Sequence, residues 1–192
     1  CIRDRKKIYQ KLSSRETPFN FHSFVSLKAN RILSVSPCEV VVKKVVDSYS
    51  FASSKSFSLT FTHIRTISNH WCTRSRFGAK NRGCLFGCGN ISDNIKHTCC
   101  CPSFWDAFFS VSNICAFPVN LENVVTFSND SIPLNETQIK SILIGLHIAF
   151  LCFHDCRHGK AFSQRLVQHH MSHFMRKHKK VSSVLRGLLN LE

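Results

Sequence analysis

No two aspartates adjoin anywhere in this chain of 192 residues. Asp4, Asp47, Asp93, Asp106, Asp130 and Asp155 all stand alone. Nucleotidyl transfer by the two-metal route needs paired carboxylates to hold its ions, so polymerase chemistry is not expected of this chain alone. Seven glycines form no phosphate-cradling loop. The start, Cys1-Ile-Arg-Asp-Arg-Lys-Lys, is polar and lacks the apolar stretch of a secretory signal. The longest apolar run, Ile142 to Phe153, is interrupted by His147 and falls short of the ~20 residues that span a bilayer. The expectation is therefore no membrane partner and no small-molecule substrate. Because the first residue is Cys, a fragment of a longer reading frame is also expected.

Negative charge is scarce too. Eleven acidic residues face 26 Lys and Arg, giving a net charge of +15. Such an excess is the electrostatic footprint of polyanion binding, and RNA or DNA is the expected partner. The bland alternative is a solubilising basic surface. Hydrophobic residues make up 43% of the chain, with 17 Phe, which is enough for a core and argues against wholesale disorder.

Cysteine is abundant: eleven residues, an odd number, three of them consecutive. A disulfide framework uses even, separated cysteines. An intracellular, reducing compartment is expected instead. The pattern that stands out is Cys84-Leu-Phe-Gly-Cys88, then His97-Thr-Cys-Cys-Cys101-Pro102. Two thiolates, a short loop, an imidazole and a further thiolate form a set that a tetrahedral Zn²⁺ accepts. The fourth ligand is open among Cys99, Cys100 and Cys101. A second Cys-x3-Cys, Cys152 and Cys156, shows how readily this composition makes one pair by accident. Two pairs within eighteen residues are harder to dismiss. Gly83, Gly87 and Gly89 let the backbone bend and aim N–H groups at sulfur. Asn90, Ser92, Asp93 and Asn94 are turn formers. The competing reading is a cysteine-rich loop with buried free thiols.

Leu59 to Arg76 reads as a helix with Phe61, Ile64, Ile67 and Trp71 as its apolar stripe and Arg65 turned away from it. Cys38-Glu-Val-Val-Val-Lys-Lys-Val-Val suits a strand or one helix face. Pro102 starts a helix with Trp105, Phe108 and Phe109 inward. Residues 113–134 look like loop. Asn135-Glu-Thr-Gln138 reads as a capping box before Ile139, Ile142, Leu143, Leu146, Phe150 and Phe153, with Arg157, His158 and Gly159 at the end. A last amphipathic helix runs from about Lys160 to His178. Cys152, His154, Cys156 and His158 cannot all close on one ion from one helix, since 154 points away from 152 and 156. His169 and His173 lack a third ligand and are expected in solvent.

The flanks of the cysteine pairs carry a resemblance. Ile67-Ser-Asn-His70-Trp71-Cys72-Thr73-Arg74-Ser75-Arg76-Phe77 leads into Cys84, and Cys101-Pro102-Ser103-Phe104-Trp105 leads out. This resembles the zinc-binding region C-terminal to the polymerase domain of non-LTR retrotransposon reverse transcriptases. It covers Phe57 to Phe108, with a weaker echo near His154 to His158. The resemblance implies Zn²⁺ on Cys84, Cys88, His97 and Cys101, with Trp71 and Trp105 packing around the knuckle. It also implies nucleic acid facing Arg74 and Arg76, a parent polymerase domain as partner, and nuclear location. Lys80, Arg82 and the tail residues Arg176, Lys177, Lys179 and Lys180 extend the phosphate-contacting set, and Phe77 or Phe86 is suited to stack on a base. The expected architecture is mainly α, with a small zinc knuckle between helices and a loop-rich, partly disordered N-terminal region. Its segments are 1–56, basic and Ser/Phe-rich; 57–110, helix plus knuckle; and 111–192, helical with a basic tail. The rival function is a non-enzymatic structural or decayed-element protein with free thiols and no metal.

Overall fold

A computed structural model describes residues 20–34, 36–55, 57–73, 83–89, 93–130 and 132–177. The protein is mainly helical, as expected. In chain order the elements are α1 (Phe21–Leu33), α2 (Glu39–Lys55), α3 (Phe57–Ile67), α4 (Ile95–Thr98), α5 (Pro102–Ser112) and α6 (Leu121–Thr126). A two-residue pair of strands, β1 (Ser128–Asn129) and β2 (Ile132–Pro133), precedes α7 (Glu136–Arg157) and α8 (Gln164–Lys177).

The core is built around α7. Asn135 accepts from the Gln138 N–H at 2.9 Å, and Gln138 Oε1 accepts from the Asn135 N–H at 3.1 Å. This reciprocal box satisfies donors that the first turn would leave orphaned. Ile139, Ile142, Leu143, Leu146, Ala149, Cys152 and Phe153 are then buried, and α2, α3, α5 and α8 pack against the helix. Its 22 residues are long and apolar enough to cross a bilayer by length and composition, more than the run Ile142 to Phe153 suggests. Here 67% of its most apolar window is buried within the protein. Gly145 has a packing reason to be glycine: a Cβ there would stand 2.3 Å from Cζ3 of Trp105 on α5.

The β-branched blocks after Cys38 resolve as helix α2, with Val42, Val45 and Tyr49 inward. The helix expected over Leu59–Arg76 is shorter and differently rotated. It ends at Ile67, where Asn69 takes φ +52° and the His70 N–H reaches back to the Arg65 carbonyl at 2.8 Å. Its buried face carries Leu59, Thr62, His63, Thr66 and Ile67, with Ile64 half-buried against the core; of the expected stripe only Phe61 is exposed. Polar residues can line a core face when each finds a partner, and these do. Thr62 and Thr66 donate to carbonyls one turn back, and His63 bonds Tyr49 and Val124. Trp71 is fully buried but lies beyond the helix, donating its indole N–H to Thr66 Oγ1 at 3.0 Å.

The stretch 113–134, expected as loop, contains α6 and the β1–β2 pair. The box closing α6 uses Asn120 and Asn123, whose side chains and backbone N–H groups pair reciprocally at 2.8 and 3.0 Å. The final helix begins at Gln164, not near Lys160. Phe162 precedes it and packs on Phe86 and Phe104.

Candidate metal centre

Three short backbone features bring four ligands together. Cys84 and Cys88 bracket a tight turn in which the Gly87 N–H bonds the Cys84 carbonyl at 3.0 Å and the Phe86 N–H bonds Cys84 Sγ at 3.3 Å. Gly87 and Gly89 hold φ +72° and +79°, a left-handed backbone where glycine carries no Cβ penalty. His97 rides on the one-turn helix α4. Asn94 caps it, accepting from the His97 N–H at 2.9 Å, and Thr98 bonds the Asp93 carboxylate at 3.3 Å. Cys101 occupies the N-cap of α5, ahead of Pro102, and its carbonyl accepts from Phe104 and Trp105. A thiolate there lies at the positive end of the helix dipole.

The four ligand atoms lie within 4.8 Å of one another. Cys84 Sγ is 3.5 Å from Cys101 Sγ, and Cys88 Sγ is 3.2 Å from His97 Nε2. Soft thiolates with one imidazole suit a tetrahedral metal ion and ill suit Mg²⁺ or Ca²⁺. The geometry therefore provides a site that can hold a metal, with Cys101 as the fourth ligand. Cys99 and Cys100 turn elsewhere. Their sulfurs lie 3.6 Å apart, and Cys99 Sγ faces the Lys96 carbonyl.

The sulfurs differ in proton affinity. The hydrogen bond from Cys101 pulls Cys84 down to about 5, aided by the Phe86 N–H, His97 and Cys88 and opposed by burial. Cys101 shifts upward because it donates to Cys84 and is buried. Without a metal the pair shares one proton; a metal cation displaces it, so binding releases protons. Cys99 also shifts up, through its bond to Cys100 and through burial, and stays a thiol.

Phe86 anchors the turn. It is 2% exposed and contacts Phe104 and Phe162 with ring centroids 5.4 and 5.0 Å away. It is thus a core residue and not a base-stacking one. Trp105 donates its indole N–H to the Cys99 carbonyl at 2.9 Å, and Trp71 packs on Phe150 and Phe153 of α7.

Of the basic residues expected at a nucleic-acid surface, Arg176 and Lys177 end α8 and are exposed. Arg74, Arg76, Phe77, Lys80, Arg82, Lys179 and Lys180 lie outside the described residues. Cys152 and Cys156 are buried core thiols, and burial pushes Cys156 up to about 11. His154 and His158 pack with ring centroids 4.5 Å apart and planes tilted by 50°, and His169 and His173 are exposed. Sequence periodicity misses the outward-facing Phe57 and Phe61. Their i, i+4 spacing is the signal, but the three-and-four pattern with Ile64 and Ile67 places Phe61 on the inner stripe. The chain matches no family model, no curated protein and no solved structure.

Proposed function

We propose that this chain is a zinc-containing, nucleic-acid-binding C-terminal piece of a retroelement reverse transcriptase. Its task is to position template RNA or target DNA beside the polymerase domain of its parent polypeptide, in the nucleus. The observation that carries the metal part is the convergence of Cys84, Cys88, His97 and Cys101. In a tetrahedral zinc site with Zn–S near ≈ 2.3 Å, ligand atoms stand about 3.8 Å apart. The 3.5 and 3.2 Å pairs need only small adjustments to meet that spacing. The net charge of +15 supports a polyanionic partner, and the aromatic and basic flanks of the knuckle support the retroelement reading. Zinc would supply folding energy to a turn too short to hold its own shape.

The test begins with elemental analysis of the purified chain, followed by Co²⁺ exchange. One zinc per chain and a thiolate-to-cobalt absorption band are expected, together with binding to RNA or DNA at low salt. Primer extension on an RNA template with Mg²⁺ should give no product, because the chain has no paired aspartates. A metal-free protein that binds neither nucleic acid would leave the structural, free-thiol reading standing.

A further inference from the structure

On the outer face of α3, Phe57, Phe61 and Arg65 follow one another at i, i+4 and i+8. Phe57 and Phe61 lie nearly parallel, 20° apart with centroids 5.9 Å away. The Arg65 guanidinium sits 4.3 Å over the Phe61 ring and 5.3 Å over Phe150, close enough for cation–π attraction. Phe57 is 70% exposed and Phe61 41%. The outer ring of this ordered stack offers an open aromatic face beside a cation, on which a further ring can stack. Beside the ladder is a pocket of about 160 Å³, lined by Ser58, His147, Leu151, His173, Phe174 and Lys177. Ser58 adjoins Phe57 in sequence and lies about 100° around the helix from it. His147 is held by Thr62: that hydroxyl donates to the Ser58 carbonyl at 2.8 Å and so accepts from His147 Nδ1–H at 3.1 Å. Lys177, His147, His173 and Ser58 line this pocket together with apolar Leu151 and Phe174, with no carboxylate among the described lining residues.

We propose that this face of α3, with the pocket between α3, α7 and α8, is a binding track for single-stranded nucleic acid. An unpaired base stacks on the open side of Phe57, and an adjoining backbone phosphate enters the pocket against Lys177, beside His147 and His173. Stacking platforms beside a basic groove are how sequence-tolerant single-strand binding is achieved. The site lies on helices outside the metal knuckle and rests on the nucleic-acid reading above.

The test uses the purified chain with a fluorescent oligouridylate, its deoxy counterpart and a duplex of equal length. Phe57→Ala should weaken single-strand binding about 5- to 150-fold, the range for loss of one stacked base. Duplex binding should change less than about twofold. Phe57→Trp should retain binding. Phe57 is mostly solvent-exposed, so the circular dichroism melt should match the parent, which separates lost stacking from lost folding. His173→Ala with Lys177→Ala should flatten the salt dependence for single strands by about 0.7 for each phosphate that the variant no longer neutralises. If the parent binds single strands and Phe57→Ala binds them within about twofold, this proposal is overturned and the nucleic-acid reading survives. Equal loss on single strand and duplex would also overturn it. No binding by the parent would remove both.

Discussion

His63 has no exposed surface and joins three helices. The Val124 carbonyl on α6 can only accept, so His63 Nε2 donates to it at 2.7 Å; Nδ1 then accepts from Tyr49 O–H on α2 at 2.7 Å. Both bonds need the neutral imidazole. Burial lowers His63 to about 4, partly offset by the Val124 carbonyl, and burial shifts Tyr49 upward so that it remains a donor. The unfolded histidine takes a proton near 6.5. The unfolded state therefore binds more protons between pH 6.5 and 4, and stability falls as pH drops through that window. The full loss is about 3 kcal/mol. Gln at 63 can offer a donor and an acceptor but does not titrate. Urea unfolding at pH 7 and at pH 4.5 should show H63Q less stable than the parent at pH 7, with the gap narrowing in acid. A constant gap would count against this role. The sulfurs give a second residue-scale test. Cys101→Ser should abolish stoichiometric metal binding, whereas Cys100→Ser should keep it, because only the Cys101 sulfur faces Cys84, Cys88 and His97. Metal content after gel filtration decides between them.

At the scale of elements, α5 and α7 cross where Trp105 covers Gly145. Alanine has the better helix propensity by about 1 kcal/mol, yet its Cβ would lie 2.3 and 2.4 Å from two indole carbons. Overpacking of this kind costs about 1–3 kcal/mol. Gly145→Ala should therefore lower stability in urea unfolding; a gain would mean that the two helices separate easily. The two helices that open on reciprocal capping boxes differ in legibility. Asn135 and Gln138 follow the usual box pattern and announce α7. Asn120 and Asn123 make the same bonds with an unusual partner, which hides α6 inside apparent loop. Helix α3 is visible as an element, but its rotation is not. Thr62, His63 and Thr66 look like a wet face in sequence and become a dry one only through partners on α2, α6 and α7. The candidate metal ligands are legible because tetrahedral coordination constrains spacing along the chain. The choice of Cys101 over its two neighbours needs the N-terminus of α5, which orients one sulfur of three.

At the scale of the whole molecule, 26 basic residues against 11 acidic ones leave charge to spare after every ion pair seen. Those pairs include Lys43–Asp47, Lys140–Glu136, Lys160–Asp155 and His170–Asp155. Asp155 alone meets both Lys160 and His170, and these bonds hold its carboxyl below the usual range. The surplus makes counterion release the expected source of affinity, so log K should fall linearly with log[salt]. Arg176 and Lys177 end α8 on an exposed turn. Replacing both with Ala should flatten that line by about 0.7–0.9 for each residue that touches a phosphate. The loss should be alike for all sequences, because a charge on a phosphate reads no base. Removing a metal bound by Cys84, Cys88, His97 and Cys101 should act differently. The knuckle carries no charge of the tail, but Phe86 ties it to Phe104 and Phe162 ahead of α8. Chelation should therefore loosen α5 and α8 and erode single-strand preference more than bulk affinity. Anisotropy titrations across a salt series, with and without chelator, measure both effects. Affinity that stays undiminished near ~0.5 M salt would contradict an electrostatic origin. A chelator that cuts the salt slope itself would mean that the metal knuckle positions the phosphate-binding groups directly.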